Sequence, residues 1–462
     1  MKKLLTFIIL LNIALFTIQC NICIAGLGTC KKSDNSLALL LLALNQLQSS
    51  HSSSELYSPK GELDPNFGNN GVTITSFGTT EYRANSTVIQ TDGKILVAGS
   101  YKSEHANHDI FIARYNSNGS IDNSFGTDGF VKTEISLASD FVSKIILQTD
   151  GKILVLGSYF NGTDKTDIYI VRYNPDGSLD NTFGTNGIIK KNIGASYDEP
   201  KGMVLQSDGK ILVAGSYDNG SNYDIFIARY NSDGSYDNSF GTNGISTLAI
   251  VINNHNWMED VVLQSDGKIL MTGYIKLGSD DKIFIARFNS DGSYDNSFGT
   301  NPSFNYITTN VGSSLEQASK ITLQPDGKIL IAGIYHNGSN YDIFIARYNS
   351  NGSLDNSFAT NGFKKFNIGD DTDEVHSLAL QFDGKILVAG VYNNGSNEAT
   401  YITRYHSEGT LDTSFGNNGI VTKSFSSYVE KLEMVIQSDK KIILTGYTKN
   451  GSDYDIFLLR YK

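Results

Sequence analysis

A repeated segment constrains this chain more than any other feature. In its most regular copies the segment reads Gln-x-Asp-Gly-Lys-Ile-Leu-Val-Ala-Gly and continues into Ile-Ala-Arg-Tyr-Asn and Ser-Phe-Gly. A period of this length is typical of propellers, solenoids and arrays. The repeat predicts a fold more firmly than a function, because a scaffold does not specify the site built on it. The copies open on Gln90, Gln148, Gln206, Gln264, Gln324, Gln381 and Gln437.

Each copy contains four short apolar stretches that read as β-strands. In one copy, the stretch 144–148 leads into an Asp-Gly pair and a second stretch follows at 152–159. Asp-Gly is a strong hairpin signal because the turn needs positive φ. Stretches such as 224–230 and 130–135 supply the third and fourth strands. The runs are continuously apolar, which indicates burial on both faces. Four-stranded antiparallel sheets packed between copies of themselves are the blades of a β-propeller.

The number of blades follows from the two ends of the chain. The repeats begin in mid-unit at Gly61 and stop in mid-unit at Lys462. The tail lacks the fourth strand that the head carries, so the two ends are complementary parts of one blade. We therefore predict an all-β fold, a seven-bladed β-propeller of four-stranded antiparallel blades over 59–462. Its last blade should combine roughly 429–462 with 59–77.

The repeat text resembles the bacterial delta-60 repeat family, a group of predicted β-propellers. The shared pattern runs from Leu-Gln-x-Asp-Gly-Lys-Ile-Leu-Val-Ala-Gly through Arg-Tyr-Asn-x-Asp-Gly-Ser-Leu-Asp to Ser-Phe-Gly-x-x-Gly. It covers nearly all of the chain after residue 58. The resemblance implies a propeller shape and export from the cell, and it implies no particular activity.

The first 58 residues differ from the rest. Lys2 and Lys3 precede a long apolar run, as in an export signal. Cys30 follows small residues after that run and resembles the lipidation site of bacterial lipoproteins, with Cys20 as the alternative. We predict a signal peptide over 1–29 and a flexible lipid-anchor tether over 30–58. The protein would then be exported and membrane-anchored at the bacterial cell envelope or surface. An uncleaved anchor helix is the other interpretation.

Composition excludes several functional classes. All three cysteines of the chain lie within its first 30 residues, which excludes a disulfide framework, thiol catalysis and Cys-zinc sites in the folded body. The net charge is −11 and no basic stripe appears. Nucleic acid is therefore excluded as a partner, since binding to phosphates needs clustered Lys and Arg.

Every repeat carries an Arg at the end of the third strand and an Asp shortly after it. A buried Arg needs a carboxylate partner, so we predict structural pairs rather than ligand sites. The predicted pairs are Arg114 with Asp122, Arg172 with Asp180, Arg229 with Asp237, Arg287 with Asp295, Arg347 with Asp355, Arg404 with Asp412 and Arg460 with Asp64.

The turn between these two residues resembles the end of a calcium loop. Asn231-x-Asp233-Gly234-x-x-Asp237 has the spacing of the later ligands, but Arg229 occupies the position of the first one. We predict that the guanidinium takes the place of the ion. The sequence thus predicts no metal and no cofactor, with calcium in these turns as the alternative.

The loops that lead into each first strand vary most, and most of them carry an acid. These acids could form a rim that attracts a cation or a basic partner, or each could cap its own loop. The acidic cluster 370–374 near His376 could instead hold one divalent ion. Trp257 would contact a sugar or a protein, or pack over a blade edge. The candidate rim residues are Glu81, Asp140, Asp198, Glu199, Trp257, Glu259, Glu316, Asp373, Glu374 and Glu430.

No catalytic constellation appears in the sequence, neither His-Glu-x-x-His nor Gly-x-Ser-x-Gly nor a phosphate loop. The preferred hypothesis is a monomeric, lipid-anchored propeller that binds a protein or glycan ligand through its variable face and does no chemistry. The alternative is a metal-dependent propeller hydrolase with carboxylates at the channel mouth. A purely structural envelope component is the third possibility.

Overall fold

The computed structural model describes residues 60–76, 81–162, 165–299, 306–312, 315–393 and 398–462. The predicted signal peptide and tether, with Cys20 and Cys30, lie outside the described residues. In the described part of the chain, no helix has the length and apolar character needed to cross a bilayer.

The described residues contain 28 strands in seven four-stranded antiparallel sheets. Strands 1 to 14 are β1 Val72–Thr75, β2 Tyr82–Ile89, β3 Ile95–Lys102, β4 His108–Tyr115, β5 Phe130–Thr133, β6 Asp140–Leu147, β7 Ile153–Phe160, β8 Thr166–Tyr173, β9 Ile188–Lys191, β10 Asp198–Leu205, β11 Ile211–Asp218, β12 Tyr223–Tyr230, β13 Ile245–Leu248 and β14 Asn256–Leu263. Strands 15 to 28 are β15 Ile269–Leu277, β16 Asp280–Phe288, β17 Tyr306–Thr309, β18 Glu316–Leu323, β19 Ile329–His336, β20 Tyr341–Tyr348, β21 Phe363–Phe366, β22 Ser377–Leu380, β23 Ile386–Asn393, β24 Glu398–Tyr405, β25 Ile420–Ser424, β26 Val429–Ile436, β27 Ile442–Asn450 and β28 Asp453–Tyr461.

In six of the seven sheets the four strands are consecutive in the chain and form a meander, and the first strand of each of these sheets lies next to a central channel. Blade 1 runs β2-β3-β4-β5, and blades 2 to 6 follow in the same way through β25. The inner strands contact one another in a closed ring, β2 to β6 and onward to β26, which returns to β2. The predicted seven-bladed propeller is confirmed.

Blade 7 is shared between the two ends of the described chain. β26, β27 and β28 form its three inner strands, and β1 pairs with β28 as the outermost strand. In this register Val72 lies opposite Leu459. The Lys60 N–H also donates to the Lys462 carbonyl at 2.7 Å. The predicted closure of the ring by the two terminal segments is therefore confirmed.

The hydrophobic core lies between blades, since both faces of each sheet are covered. The cluster between blades 1 and 2, for example, joins Ile110 and Ile112 to Val155 and Val171. One fully buried Phe per repeat packs before each outer strand. These residues are Phe67, Phe125, Phe183, Phe240, Phe298, Phe358 and Phe415.

A bulge interrupts the inner strand near its middle. In blade 3 the register shifts between Pro200 and Gly202, so Lys201 is the extra residue. A bulge changes the direction of the side chains around it. The bulge residues of blades 1 to 5 line the channel, and they are Asn85, Ser143, Lys201, Glu259 and Ser319.

Candidate functional site

At the hairpin end of each blade, the Arg and Asp of the repeat form a buried structural contact. In blade 3, Arg229 Nε lies 2.7 Å from Asp237 Oδ2, and the guanidinium carbon lies 4.6 Å from the centre of the Phe240 ring. Arg229 Nη1 also donates to the Ser290 carbonyl of the next blade. The Arg and Asp side chains of all seven predicted pairs lie 2.7–2.9 Å apart.

A lysine that the sequence reasoning missed completes this cluster. Lys210 Nζ lies 3.0 Å from the same Asp237 oxygen. A hydrogen bond from Ser239 is the largest of the causes that hold the pKa of Asp237 well below its usual range. A hydrogen bond from Lys210 and the charge of Arg229 act in the same direction, and together they outweigh burial, which raises that pKa. The sequence contained a signal for this lysine, because a Lys follows the turn between the first and second strands in every repeat. The other lysines are Lys94, Lys152, Lys268, Lys328, Lys385 and Lys441.

The carboxylate of the calcium-like turn is engaged within its own loop. Asp233 Oδ1 accepts hydrogen bonds from Ser235 N at 2.9 Å and from Ser235 Oγ at 2.7 Å. Among the described residues, no three His, Cys, Asp or Glu side chains converge as a metal site requires. The expectation that these turns work without an ion stays a prediction.

At the opposite end of the blades, four of the candidate rim acids cap their own loops. Asp198 is 1% exposed and accepts hydrogen bonds from Ile193 N at 2.7 Å and Gly194 N at 2.9 Å. Burial raises the pKa of Asp198 to about 6 despite these bonds. Asn256 takes the same position in blade 4 and accepts from Val251 N at 3.0 Å. Buried acids at this position in the other blades are Asp140, Glu316 and Asp373.

Three other candidates are engaged at the same face. Glu81 Oε2 lies 2.9 Å from Arg83 Nη2. Tyr447 Oη donates to Glu430 at 2.6 Å. Trp257 lies on the inner strand β14 and stacks on Tyr223 of the neighbouring blade, with their ring centres 4.1 Å apart.

The acidic cluster 370–374 does not gather around one point. Asp373 is buried in its loop, whereas Asp371 accepts a hydrogen bond from the Thr372 N–H. Glu374 Oε2 lies 2.9 Å from Nε2 of His376. A hydrogen bond from His376 comes first among the causes that lower the pKa of Glu374.

The central channel brings together charged side chains that the sequence reasoning missed or kept apart. A cavity of ≈ 480 Å³ is lined by Lys144, Lys201, Asp260, Lys320 and Glu433, each from a different blade. Lys144 Nζ lies 2.8 Å from Glu433 Oε1. Of the candidate rim residues, Glu199 and Glu259 also line this cavity, where both approach Lys201 at 3.6–3.9 Å.

Burial and charge act against each other in the channel. Burial alone would lower the pKa of Lys144, but the Glu433 carboxylate outweighs it and the pKa is raised. Burial raises the pKa of Asp260, although Lys320 and the Ile321 N–H, which donates at 3.0 Å, oppose that shift. The sequence signalled this site only through the residue types at the bulge positions, which differ from blade to blade.

Large apolar side chains are exposed mainly on the face that carries the variable loops, here called the loop face. Leu137 is 91% exposed and Ile252 is 76% exposed, both in loops that lead into inner strands. The opposite face carries the turns between the first and second strands and is here called the hairpin face. Among the described residues it exposes one large apolar side chain, Phe382. Ile74 is also exposed but lies on an outer strand. The loop face also exposes Tyr197, Leu277 and Tyr428.

Six of the repeats match a family model described as "Domain of unknown function (DUF5122) beta-propeller". The matched residues are 90–125, 148–183, 206–240, 264–298, 324–358 and 381–415. Among curated proteins, no sequence matches this chain.

Several solved structures are similar in outline. Virginiamycin B lyase from Staphylococcus aureus, in a catalytically inactive form with quinupristin, is 15% identical, with 84% of this chain and 98% of that chain covered and a TM-score of 0.44. A polysaccharide lyase is 11% identical, with coverage of 82% and 89% and a TM-score of 0.48. Drosophila Plexin A in complex with Semaphorin 1b is 10% identical, with 87% of each chain covered and a TM-score of 0.43. Likenesses of this size carry no information about what this chain binds.

Proposed function

We propose that this chain, whose repeats fit a β-propeller repeat family, is an exported binding module that docks a protein partner on its loop face and does no chemistry of its own. One observation supports this most directly. The exposed apolar residues Leu137 and Ile252 project from the variable loops, while the hairpin face exposes only Phe382 within the described residues. Apolar side chains that are exposed on one face can serve as the anchors of a protein interface, which polar residues then surround.

The two faces also differ in how strictly they repeat. The hairpin face keeps its Arg, Asp and Lys in every blade, as the folding of each blade requires. The loop face carries a different set of side chains in each blade, including Tyr197 and Tyr428. Aromatic side chains supply much of the binding energy of protein interfaces. Variation confined to one face favours that face as the recognition surface.

We propose that the module is held at the bacterial envelope. Cys30 at the end of an export-type signal is the proposed lipid attachment site, and attached acyl chains would hold the protein on a membrane. The module would act as a monomer, with no cofactor, no nucleic acid partner and a glycan as the alternative ligand.

The test compares a loop-face variant with a matched hairpin-face variant. Leu137→Ser combined with Ile252→Ser should abolish capture of the partner from an envelope extract, measured by quantitative mass spectrometry of the bound fraction. Phe382→Ser removes a large apolar side chain that is 73% exposed, close to the 76% of Ile252, and restores the residue type found at Ser207 and Ser265. That control should capture the partner like the parent protein. Equal capture by the two variants would contradict the proposal.

A further inference from the structure

The channel offers a second site that goes beyond docking on the loop face. Its cavity of ≈ 480 Å³ falls in the range of about 300–1,000 Å³ that small-molecule sites occupy. The cavity is lined mainly by bulge and neighbouring residues of the inner strands, and of the exposed apolar residues of the loop face it includes Tyr197 but neither Leu137 nor Ile252. It can therefore be tested independently of the protein partner.

Two lysines in this cavity carry charges that form no ion pair with any described residue. Within the described residues, Lys320 and Lys431 have no carboxylate at ion-pair distance, although each lies in electrostatic range of one. The Lys320 charge acts on Asp260 and the Lys431 charge acts on Glu374. Both lysines line the cavity. They are therefore able to bind the anionic group of a ligand.

His376 lies on the blade between these lysines and completes the polar wall. Its Nδ1 accepts from the Leu432 N–H at 3.3 Å, and its Nε2 lies 2.9 Å from Glu374. Both ring nitrogens of His376 are therefore engaged with described groups. Lys320 and Lys431 supply permanent positive charge on this side of the cavity.

Neutral polar side chains of the protein also line this cavity. Asn85 Oδ1 is shielded from solvent and accepts no hydrogen bond from any described residue. A buried acceptor without a partner destabilises the fold unless a ligand or a water molecule donates a hydrogen bond to it. Ser143 and Ser319 occupy the equivalent bulge positions of their blades and also line the cavity. Amide and hydroxyl groups together match a ligand that carries several hydroxyls.

An aromatic wall completes the lining. Phe141, Phe160 and Tyr197 line the cavity on the side of blades 2 and 3. The Phe141 and Phe160 rings meet edge to face with their centres 6.4 Å apart. Tyr197 is 40% exposed. Aromatic rings that combine an apolar body with a polar edge suit the C–H face of a sugar ring.

We propose that the channel binds a small sugar that carries a carboxylate. Lys320 and Lys431 hold the carboxylate, Asn85 accepts from a hydroxyl, and the ring lies against Phe141 and Tyr197. Neutral sugars lack the group that the lysines recognise, and simple carboxylates lack the ring and hydroxyls.

The test is titration calorimetry of the purified protein with D-glucuronate, D-glucose and acetate. Binding of glucuronate should be tighter than that of glucose or acetate by about tenfold or more, as a charge-assisted contact predicts. No detectable binding of glucuronate would overturn the proposal. Equal affinity for glucuronate and glucose, or for glucuronate and acetate, would overturn it as well.

Variants locate the site and separate it from the loop face. Lys320→Gln and Lys431→Gln should each weaken glucuronate binding by about tenfold. The matched control Lys364→Gln, on the outer strand β21, should leave it unchanged. The double variant Leu137→Ser with Ile252→Ser should also bind glucuronate normally, so that loss of the protein partner and loss of the sugar are distinguishable. Unaltered binding by both channel variants would overturn the assignment.

Discussion

At the scale of single residues, one position at the start of the inner strand shows how burial sets the chemistry of an acid. Asp198 caps its loop through two backbone N–H groups, and Asn256 caps the equivalent loop with a neutral amide. A neutral side chain thus performs the same structural task. The carboxylate carries an additional cost because its charge is buried.

The first prediction concerns the pH dependence of stability at this position. The pKa of Asp198 is about 6 in the folded protein, above its unfolded value of about 3.9. Its contribution to stability is therefore greatest below about pH 4 and declines as pH rises through about 6. Asp198→Asn should reduce the drop in melting temperature between pH 5 and pH 7, followed by circular dichroism. Superimposable pH profiles for the variant and the parent would contradict this.

The second prediction concerns the hairpin in which Lys440 replaces the usual Gly. Lys440 has φ +71°, and the glycines at this position in blades 1 to 6 have φ of 83–84°. A side chain in this left-handed region costs about 1–2 kcal/mol, partly offset by the greater chain entropy of Gly. Lys440→Gly should stabilise the protein by about 0.5–1 kcal/mol, measured by guanidinium denaturation. Gly209→Ala is the reverse control and should destabilise; a loss of stability in Lys440→Gly would refute the argument.

At the scale of the blade, three residues join the hairpin, the third strand and the next blade. Asp237 accepts from Arg229 at 2.7 Å and from Lys210 at 3.0 Å. The side chain of Arg229 is 9% exposed, whereas that of Lys210 is 30% exposed. The two cations therefore contribute unequally to the stability of the fold, since solvent screens the charge of the more exposed Lys210.

The third prediction compares these two cations. Arg229→Met leaves Asp237 buried without its inner partner and removes the bond to Ser290, so it should cost about 3–5 kcal/mol. Lys210→Met removes the more exposed partner and should cost about 0–1 kcal/mol. Chemical denaturation of both variants measures the difference. Equal costs would show that the two cations share the carboxylate evenly.

At the scale of the whole molecule, the ring is held closed by pairing the two ends of the repeat region. β1 supplies the outer strand of blade 7, and Arg460 reaches both Asp64 in the same blade and the Ser117 carbonyl of blade 1. Separation of blades 7 and 1 therefore requires β1 to leave β28. A blade made from one continuous segment would lack this constraint.

The fourth prediction tests closure with two circular permutants that join Lys462 to Lys60, whose backbone groups lie 2.7 Å apart. Opening the chain at 426–427 makes every blade continuous and removes the shared blade. Opening it after Asn231 moves the shared blade elsewhere and keeps the closure. The first permutant should melt at a clearly lower temperature than the second, by calorimetry. Identical melting temperatures would mean that the shared blade contributes nothing to closure.

Local turn chemistry explains why so much of the fold was predictable. The Asp-Gly hairpin at Gly209 needs positive φ, and it recurs with the same flanking apolar runs in almost every blade. Six copies of this local signal reinforce one another. The acids of the loops carried no such signal, because an acid such as Asp198 reads the same whether it caps a loop or faces solvent.

The sequence by itself determined the strands, the number of blades, the sharing of one blade between the chain ends and the recurrence of Arg and Asp. All of these follow from signals that lie within one repeat or recur in each. Only the tertiary structure decided which acids are buried and which lysines meet in the channel. Lys144 and Glu433 are 289 residues apart and lie 2.8 Å from each other. Their contact depends on ring closure and on one-residue bulges that redirect side chains, and neither effect leaves a local pattern.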